Sequence, residues 1–315
     1  MEIRAMSDAD EQGIRSLFAA CFGKPLSHEE WAWKYRNSPW GSEAALALDG
    51  EDIVAHYGGV GARFYAKGRI LTVFQPCDVM THPKYRARIF SKRGAMVKAG
   101  ELFYGSNPMD FAFGFPSERH AVLGTKQLGY TEHSHVAVLR KKVWFRRPFG
   151  NFLVKADKGW SSLDEAELDA LWKEAREEYS LTLDKDSRYL CWRYRDHPTG
   201  RYEPFLVRSR YRKTLQAFAV YAVRESELHV LDFFSARTFS TKTLLRLFEN
   251  MAVRNGLGAV RVWVHPHESV FRTFERYGYA AEKGVPYIFK ILNDQITPSF
   301  LFGAYCYRMG DYDAA

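Results

Sequence analysis

Cysteine is scarce in this 315-residue chain: Cys21, Cys77, Cys191 and Cys306 lie far apart and form no CxxC pair. That spacing indicates neither a zinc site nor a disulfide framework, so no metal is expected and a reducing cytoplasm is the default setting. No run approaches the ~18 apolar residues that span a bilayer, and no membrane span is expected. The opening Met1-Glu-Ile-Arg-Ala-Met6 lacks the basic-then-apolar pattern of a secretory signal. Acidic residues are outnumbered, with 45 Lys+Arg against 37 Asp+Glu and a net charge of +8. Such a balance suits a polyanionic partner, and coenzyme A and nucleic acid both qualify.

What the chain does have is apolar and aromatic mass. Hydrophobic residues make up 46% and aromatic residues 16%, enough for two cores of roughly 150 residues each. Residues 2–6 read as a strand, and Asp8 or Asp10 can cap a helix through Phe22. A second helix starts at Ser27, with Glu29 and Glu30 in its first turn, where they suit the dipole. Strands follow at 43–49, 52–65 and 69–81, with Asp49-Gly50 as a hairpin signal. A helix over about 88–104, a buried strand at 110–115, a helix from Pro116-Ser117 to Gln127 and a strand near 131–143 complete this half. Residues 144–160, with Pro148, Gly150 and Gly159, read as a linker. A helix from Ser161 or Asp164 to about Tyr179 then begins the second half. The basic patch Arg140-Lys-Lys-Val-Trp-Phe-Arg-Arg147 reads as a solvated strand end running into the linker.

The second half repeats the first. Trp33-Lys-Tyr-Arg-Asn-Ser-Pro-Trp-Gly41 matches Trp192-Arg-Tyr-Arg-Asp-His-Pro-Thr-Gly200. Asp78 has a counterpart in Asp232, and Pro116…Leu-Gly-Tyr130 in Pro266…Tyr-Gly-Tyr279. Matches in the same order at similar offsets argue for an internal duplication.

One segment points to chemistry. Asp78-Val-Met-Thr-His-Pro-Lys-Tyr-Arg-Ala-Arg-Ile-Phe-Ser91 reads as a strand that ends in a basic turn and opens into a helix. Such a turn can aim backbone N–H groups and a helix dipole at one phosphate. The segment resembles the acetyl-CoA pyrophosphate loop of the GNAT (Gcn5-related) N-acetyltransferases, "V-x-x-x-y-R-g-x-G-x-G/A". The order of elements, β-α-α-β-β-β-α-β-α-β, is also the GNAT order. The resemblance implies an α/β fold of two tandem GNAT-like domains, each a mostly antiparallel mixed sheet flanked by helices. They would span 1–143 and 161–315, joined by the 144–160 linker. The glycines of the loop are missing: Ile89 and Ser91 stand in their places, or the loop is one residue short. A β-branched residue resists the dihedrals glycine allows and crowds a diphosphate. Arg86, Arg88 and Lys92 can supply charge where glycine no longer supplies geometry. The second half has no such basic loop and is expected to shape the substrate site.

Carried onto this chain, the resemblance implies acetyl-CoA as co-substrate, held by Val79, Met80, Thr81, Arg86, Ala87, Arg88, Ile89, Phe90, Ser91 and Lys92. An amine of a small polar molecule, such as an amino sugar or sugar nucleotide, would attack the thioester. Asp78 and His82 are the candidate catalytic bases. Asp78 also reads as a strand-end residue and His82 as a turn residue. Glu118, His120 and Tyr130 are weaker candidates. The tyrosine that serves many members as acid falls at Thr125 here, and at Phe274 in the second half. The C-terminal Tyr305-Cys-Tyr-Arg-Met-Gly-Asp-Tyr-Asp313 is similar to the ending of two-domain GNAT-like proteins encoded with polysaccharide-biosynthesis genes. Asp311, Asp313 or the Ala315 carboxylate would then contact the acceptor. Two other readings stay open: a degenerate binding module, and an aminoacyl-tRNA-dependent transferase of the Fem type, which also pairs two such domains and which the net charge permits.

Overall fold

The structure, a computed structural model, describes residues 1–88, 94–145 and 154–312. Strand β1 (Glu2–Ala5) leads into helices α1 (Glu11–Phe22) and α2 (His28–Tyr35). A capping box starts α2: the Ser27 hydroxyl accepts from the Glu30 N–H (3.0 Å), and the Glu30 carboxylate accepts from the Ser27 N–H (3.2 Å). Two otherwise orphaned donors are met there. Strands β2 (Ser42–Asp49), β3 (Asp52–Ala66) and β4 (Arg69–Thr81) form an antiparallel meander. At the β2–β3 turn Gly50 takes a left-handed φ of 64°, as a tight hairpin requires. A 3-10 turn (Pro83–Arg88) follows, and the helix expected from residue 88 is α3 (Ala95–Ser106). Strand β5 (Phe111–Gly114), helix α4 (Glu118–Leu123) and strand β6 (Ser134–Lys142) come next.

The second half runs β7 (Val154–Lys158), α5 (Glu165–Ala175), β8 (Thr182–Leu183), α6 (Ser187–Leu190), β9 (Glu203–Ser209), β10 (Leu215–Arg224) and β11 (Glu227–Ser235). Helix α7 (Thr241–Arg254), β12 (Ala259–Trp263), α8 (Ser269–Arg276), β13 (Ala280–Ile291) and α9 (Pro298–Ala304) complete it. Apart from β8 and α9, the first half's order is repeated. Part of the segment expected to be a linker is therefore a strand: β7 pairs with β9 from Val154↔Ser209 to Lys158↔Phe205.

The two halves share one sheet, ordered β1-β2-β3-β4-β5-β13-β6-β12-β11-β10-β9-β7. The last strand of each half has crossed over. Strand β6 lies beside β12, and the end of β13 lies beside β5, Ile288↔Gly114 to Ile291↔Phe111. Between them β13 and β6 pair antiparallel. One core cluster accordingly draws on both halves, with Phe64, Phe113 and Phe289 of the sheet around Tyr305.

The duplicated tryptophans meet face to face. Trp33 and Trp192 stack with centroids 4.8 Å apart and planes 10° off parallel. Each indole N–H donates to the other's backbone carbonyl, at 2.7 and 2.9 Å. The contact is its own mirror, as expected for equivalent residues either side of a pseudo-twofold. His197 leans on Trp33 (4.2 Å), and its Nδ1 accepts the N–H groups of Gly200 (2.8 Å) and Thr199 (3.3 Å).

The C-terminal tail is docked, not frayed. Tyr305, Tyr307, Arg308 and Asp311 are all buried. The Asp311 carboxylate accepts from Lys185 Nζ (2.7 Å) and the Tyr305 hydroxyl (2.8 Å), while Lys185 also pairs with Asp232. Gln75 of β4 donates to the Asp311 carbonyl (2.8 Å), and Arg193 to the carbonyls of Gly310 (3.2 Å) and Tyr312 (2.8 Å). A Cβ on Gly310 would lie 1.7 Å from the Tyr194 hydroxyl, so only glycine fits.

Two outcomes follow from this packing. Lys185→Met leaves two buried carboxylates without their cation and should cost about 3–5 kcal/mol; urea unfolding measures it, and Asp311→Asn should cost less. Burial, helped by Arg193, lowers the His197 pKa from 6.5 to about 4. The unfolded chain then takes up a proton that the folded chain refuses. Stability is full above pH 6.5 and falls by about 1–2 kcal/mol towards pH 4, after discounting for partial exposure. His197→Gln should flatten that part of the pH–stability curve.

Candidate functional site

Strands β4 and β5 pair in parallel only at Val73↔Phe111 and Phe74↔Ala112. Beyond that they part, and a cleft of about 280 Å³ opens between them. Its walls are Cys77, Asp78 and Val79 of β4 and Phe113 and Gly114 of β5, with Ser117 and His120 at the start of α4. The crossed-over strand β13 adds Ile288, Phe289 and Lys290, and the tail adds Tyr312.

A bulge causes β4 to turn away. Its register with β3 passes from His56↔Met80 to Gly58↔Cys77, leaving Asp78 and Val79 without partners. Asp78 takes a left-handed φ of 48°, a conformation aspartate tolerates better than most residues and one that clusters at functional sites. Bulges commonly re-aim side chains next to active sites. Gly58 makes the room, since a Cβ there would lie 2.5 Å from His56 Cε1 and 2.6 Å from the Tyr35 hydroxyl.

The Asp78 carboxylate is tightly held. Lys34 Nζ lies 3.0 Å from both oxygens and the Tyr35 hydroxyl donates at 2.8 Å. Burial pushes its pKa up, but Lys34 and the hydrogen bonds outweigh this and the net shift is downward. His56 Nδ1 lies 2.8 Å from the Asp78 carbonyl; because a carbonyl only accepts, the proton is on Nδ1. Burial lowers the His56 pKa, so this ring is neutral, and its buried Nε2 has no partner. The second half repeats the motif, with the Tyr194 hydroxyl donating to Asp232. There the Gly310 turn covers the pair.

At the other wall, burial lowers the pKa of His120 and keeps its imidazole neutral. Lys290 is also lowered by burial; its ammonium donates to the Leu128 carbonyl (2.6 Å) and sits 4.9 Å from the Tyr104 ring centroid. Tyr130 lines the cleft, and its hydroxyl joins those of Tyr57 and Tyr104 in a closed trio.

Of the residues singled out from sequence, Asp78 and Val79 are in the cleft wall. His82 is not: it lies past the cleft, its Nδ1 accepting the Lys84 N–H (3.3 Å) and its ring against Tyr85. Met80 and Thr81 are buried in the strand, and Arg86 Nε donates to the Thr81 carbonyl (3.1 Å). For Ala87 and Arg88 only the backbone turn is described. Ile89, Phe90, Ser91, Lys92 and Asp313 lie outside the described residues. Asp311 is closed off in the Lys185 cluster, because the tail's own turn occupies that space. The Thr125 hydroxyl donates to the Ala121 and Thr131 carbonyls (3.0 and 3.1 Å), and Phe274 is core. Lys290 and Tyr312 had no local signal, since they reach the cleft from the far end of the chain.

The second half has a cleft of about 470 Å³ at the matching place, beyond β11 and β12. Its arginines are matched by carboxylates: Arg308 bonds Glu268 at 2.7 and 2.8 Å, and Arg237 pairs with Glu178 at 2.6 Å.

The family model of the acetyltransferase (GNAT) domain matches residues 2–131. A conserved protein from Enterococcus faecalis, described as a probable N-acyltransferase, superposes with a TM-score of 0.69 at 11% identity, over 92% of this chain and 72% of that one. A GCN5-related N-acetyltransferase from Kribbella flavida gives 0.66 at 16% identity, over 93% and 71%. Another from Anabaena variabilis gives 0.66 at 10%, over 92% and 73%. No curated protein sequence matches the chain. Identities this low speak for fold alone. Residues 2–131 thus match the GNAT acetyltransferase domain, and the chain as a whole has the fold of the GCN5-related N-acetyltransferases.

Proposed function

We propose that the cleft between β4 and β5 takes an acyl-CoA thioester, with acetyl-CoA the donor, and that the acyl group passes to an amine of a small polar acceptor. The observation that carries this reading is the parting of two strands around a bulge at Asp78. The unpaired edges offer backbone hydrogen bonds to the two amides of an extended pantetheine arm. The diphosphate falls to the basic turn, where Arg86, Arg88 and Lys92 are the cations and Ala87, Ile89, Phe90 and Ser91 the backbone. An amino sugar or its nucleotide is the acceptor class to screen first, on the strength of the C-terminal sequence.

The chemistry needs a base for the acceptor ammonium. The amine nitrogen then attacks the thioester carbonyl carbon, a C–N bond replaces the C–S bond, and the thiolate leaves to be protonated. Asp78, held ionised by Lys34, suits binding the ammonium more than taking its proton. His120, which burial keeps neutral, is free to accept that proton. The second cleft, with its arginines already paired, is left to shaping and support. The missing glycines favour a second reading, a binding module that keeps the fold without turnover.

Calorimetry with acetyl-CoA, followed by thiol-release assays over an amine panel, tests both. Asp78→Asn and His120→Ala should each lower kcat/KM by about 10²–10⁴-fold, while His82→Ala stays near the parent. The rate should rise with pH through a pKa below 6.5, since the base must be unprotonated. Absence of acetyl-CoA binding at millimolar concentration contradicts the first reading; binding without turnover of any amine favours the second.

A further inference from the structure

Three side chains converge at the lip of the cleft, outside the chemistry above. Glu118 is the first residue of α4, between Ser117 and His120, which line the cleft. His133 lies just before β6 and His135 is its second residue, and their ring centroids are 5.3 Å apart. Both Nε2 atoms address the same carboxylate: His135 lies 2.8 Å from one oxygen and His133 3.2 Å from the other. One ligand atom from each of the three residues fits within a mutual distance of 4.8 Å.

We propose that Glu118, His133 and His135 bind one divalent transition-metal ion, with zinc the best match. Zinc–nitrogen and zinc–oxygen bonds of about 2.0–2.2 Å set two ligand atoms on one ion about 3–3.5 Å apart. The nitrogen–oxygen separations already present are close to that. Two imidazoles and one carboxylate select zinc, nickel, cobalt or copper over magnesium and calcium, which prefer all-oxygen shells. Three protein ligands leave a coordination position for water or another small ligand.

The position has a structural consequence. α4 and β6 both belong to the first half, and β6 is the strand that crosses over to pair with β12 of the second. An ion held by both would brace the crossed-over strand against α4 beside the cleft. The histidines are about a quarter exposed and the Glu118 side chain 62% exposed, so an ion can enter. Lys283 acts on Glu118 through its charge and opposes a cation, so the affinity is moderate. The site stands independently of the acyl-transfer reading.

Titration of tag-free protein with zinc chloride, by calorimetry and by melting temperature, tests the proposal. One ion per chain and a raised melting temperature are expected. Each of His133→Gln and His135→Gln should weaken binding by at least ~10-fold, with metal-free melting unchanged. If a histidine variant fails to fold, Glu118→Gln on its exposed side chain provides the same readout. No saturable binding, or binding that survives in the double histidine variant, overturns it. Magnesium chloride should give no heat, and equal binding of magnesium would equally refute an imidazole site.

Discussion

The crossing of β6 and β13 is the constraint on which the rest of the molecule depends. Each half ends in a strand that finds its hydrogen bonds in the other half's sheet. An edge that would otherwise be exposed is satisfied on both sides, and neither half can leave without breaking a ladder. The stacked Trp33–Trp192 pair reinforces this arrangement with two reciprocal hydrogen bonds, worth about 1 kcal/mol each. Because β13 lies beside β5, the first half's cleft is completed by Ile288, Phe289 and Lys290 from the second half. The site is therefore a property of the pair of halves.

Duplication has left the two copies unequal. Each keeps a tyrosine hydroxyl on an aspartate of the matching strand, Tyr35 on Asp78 of β4 and Tyr194 on Asp232 of β11. In the second copy that aspartate is sealed against Lys185 and covered by Gly310 and Asp311 of the tail. In the first it borders an open cleft, at a bulge with a strained backbone. Strain held in the copy that faces a cavity, and relieved or buried in the other, fits a division into a working half and a supporting half.

Much of this was legible in the sequence. The helix start at Ser27 and the Asp49-Gly50 turn act locally, so local residues announce them. The offset repeats of Trp33 and Trp192, and of Asp78 and Asp232, announced two similar halves. What stayed hidden depends on long-range pairing. Nothing near residues 134–142 or 280–291 says that those strands exchange partners. Asp311 reads as a substrate ligand because its burial against Lys185 is invisible in sequence. His82 looked like a base because it adjoins the basic turn, yet the strand's bulge points Asp78, and not His82, at the cleft.

Hydrogen exchange read by mass spectrometry, with and without acetyl-CoA, shows which cleft takes the coenzyme. Slowed exchange is expected in residues 75–79, 112–115 and 288–290, three segments from both halves around one cleft, with the second cleft near residues 233–237 and 265–270 unchanged. Protection confined to the second cleft, or none at all, would contradict that assignment.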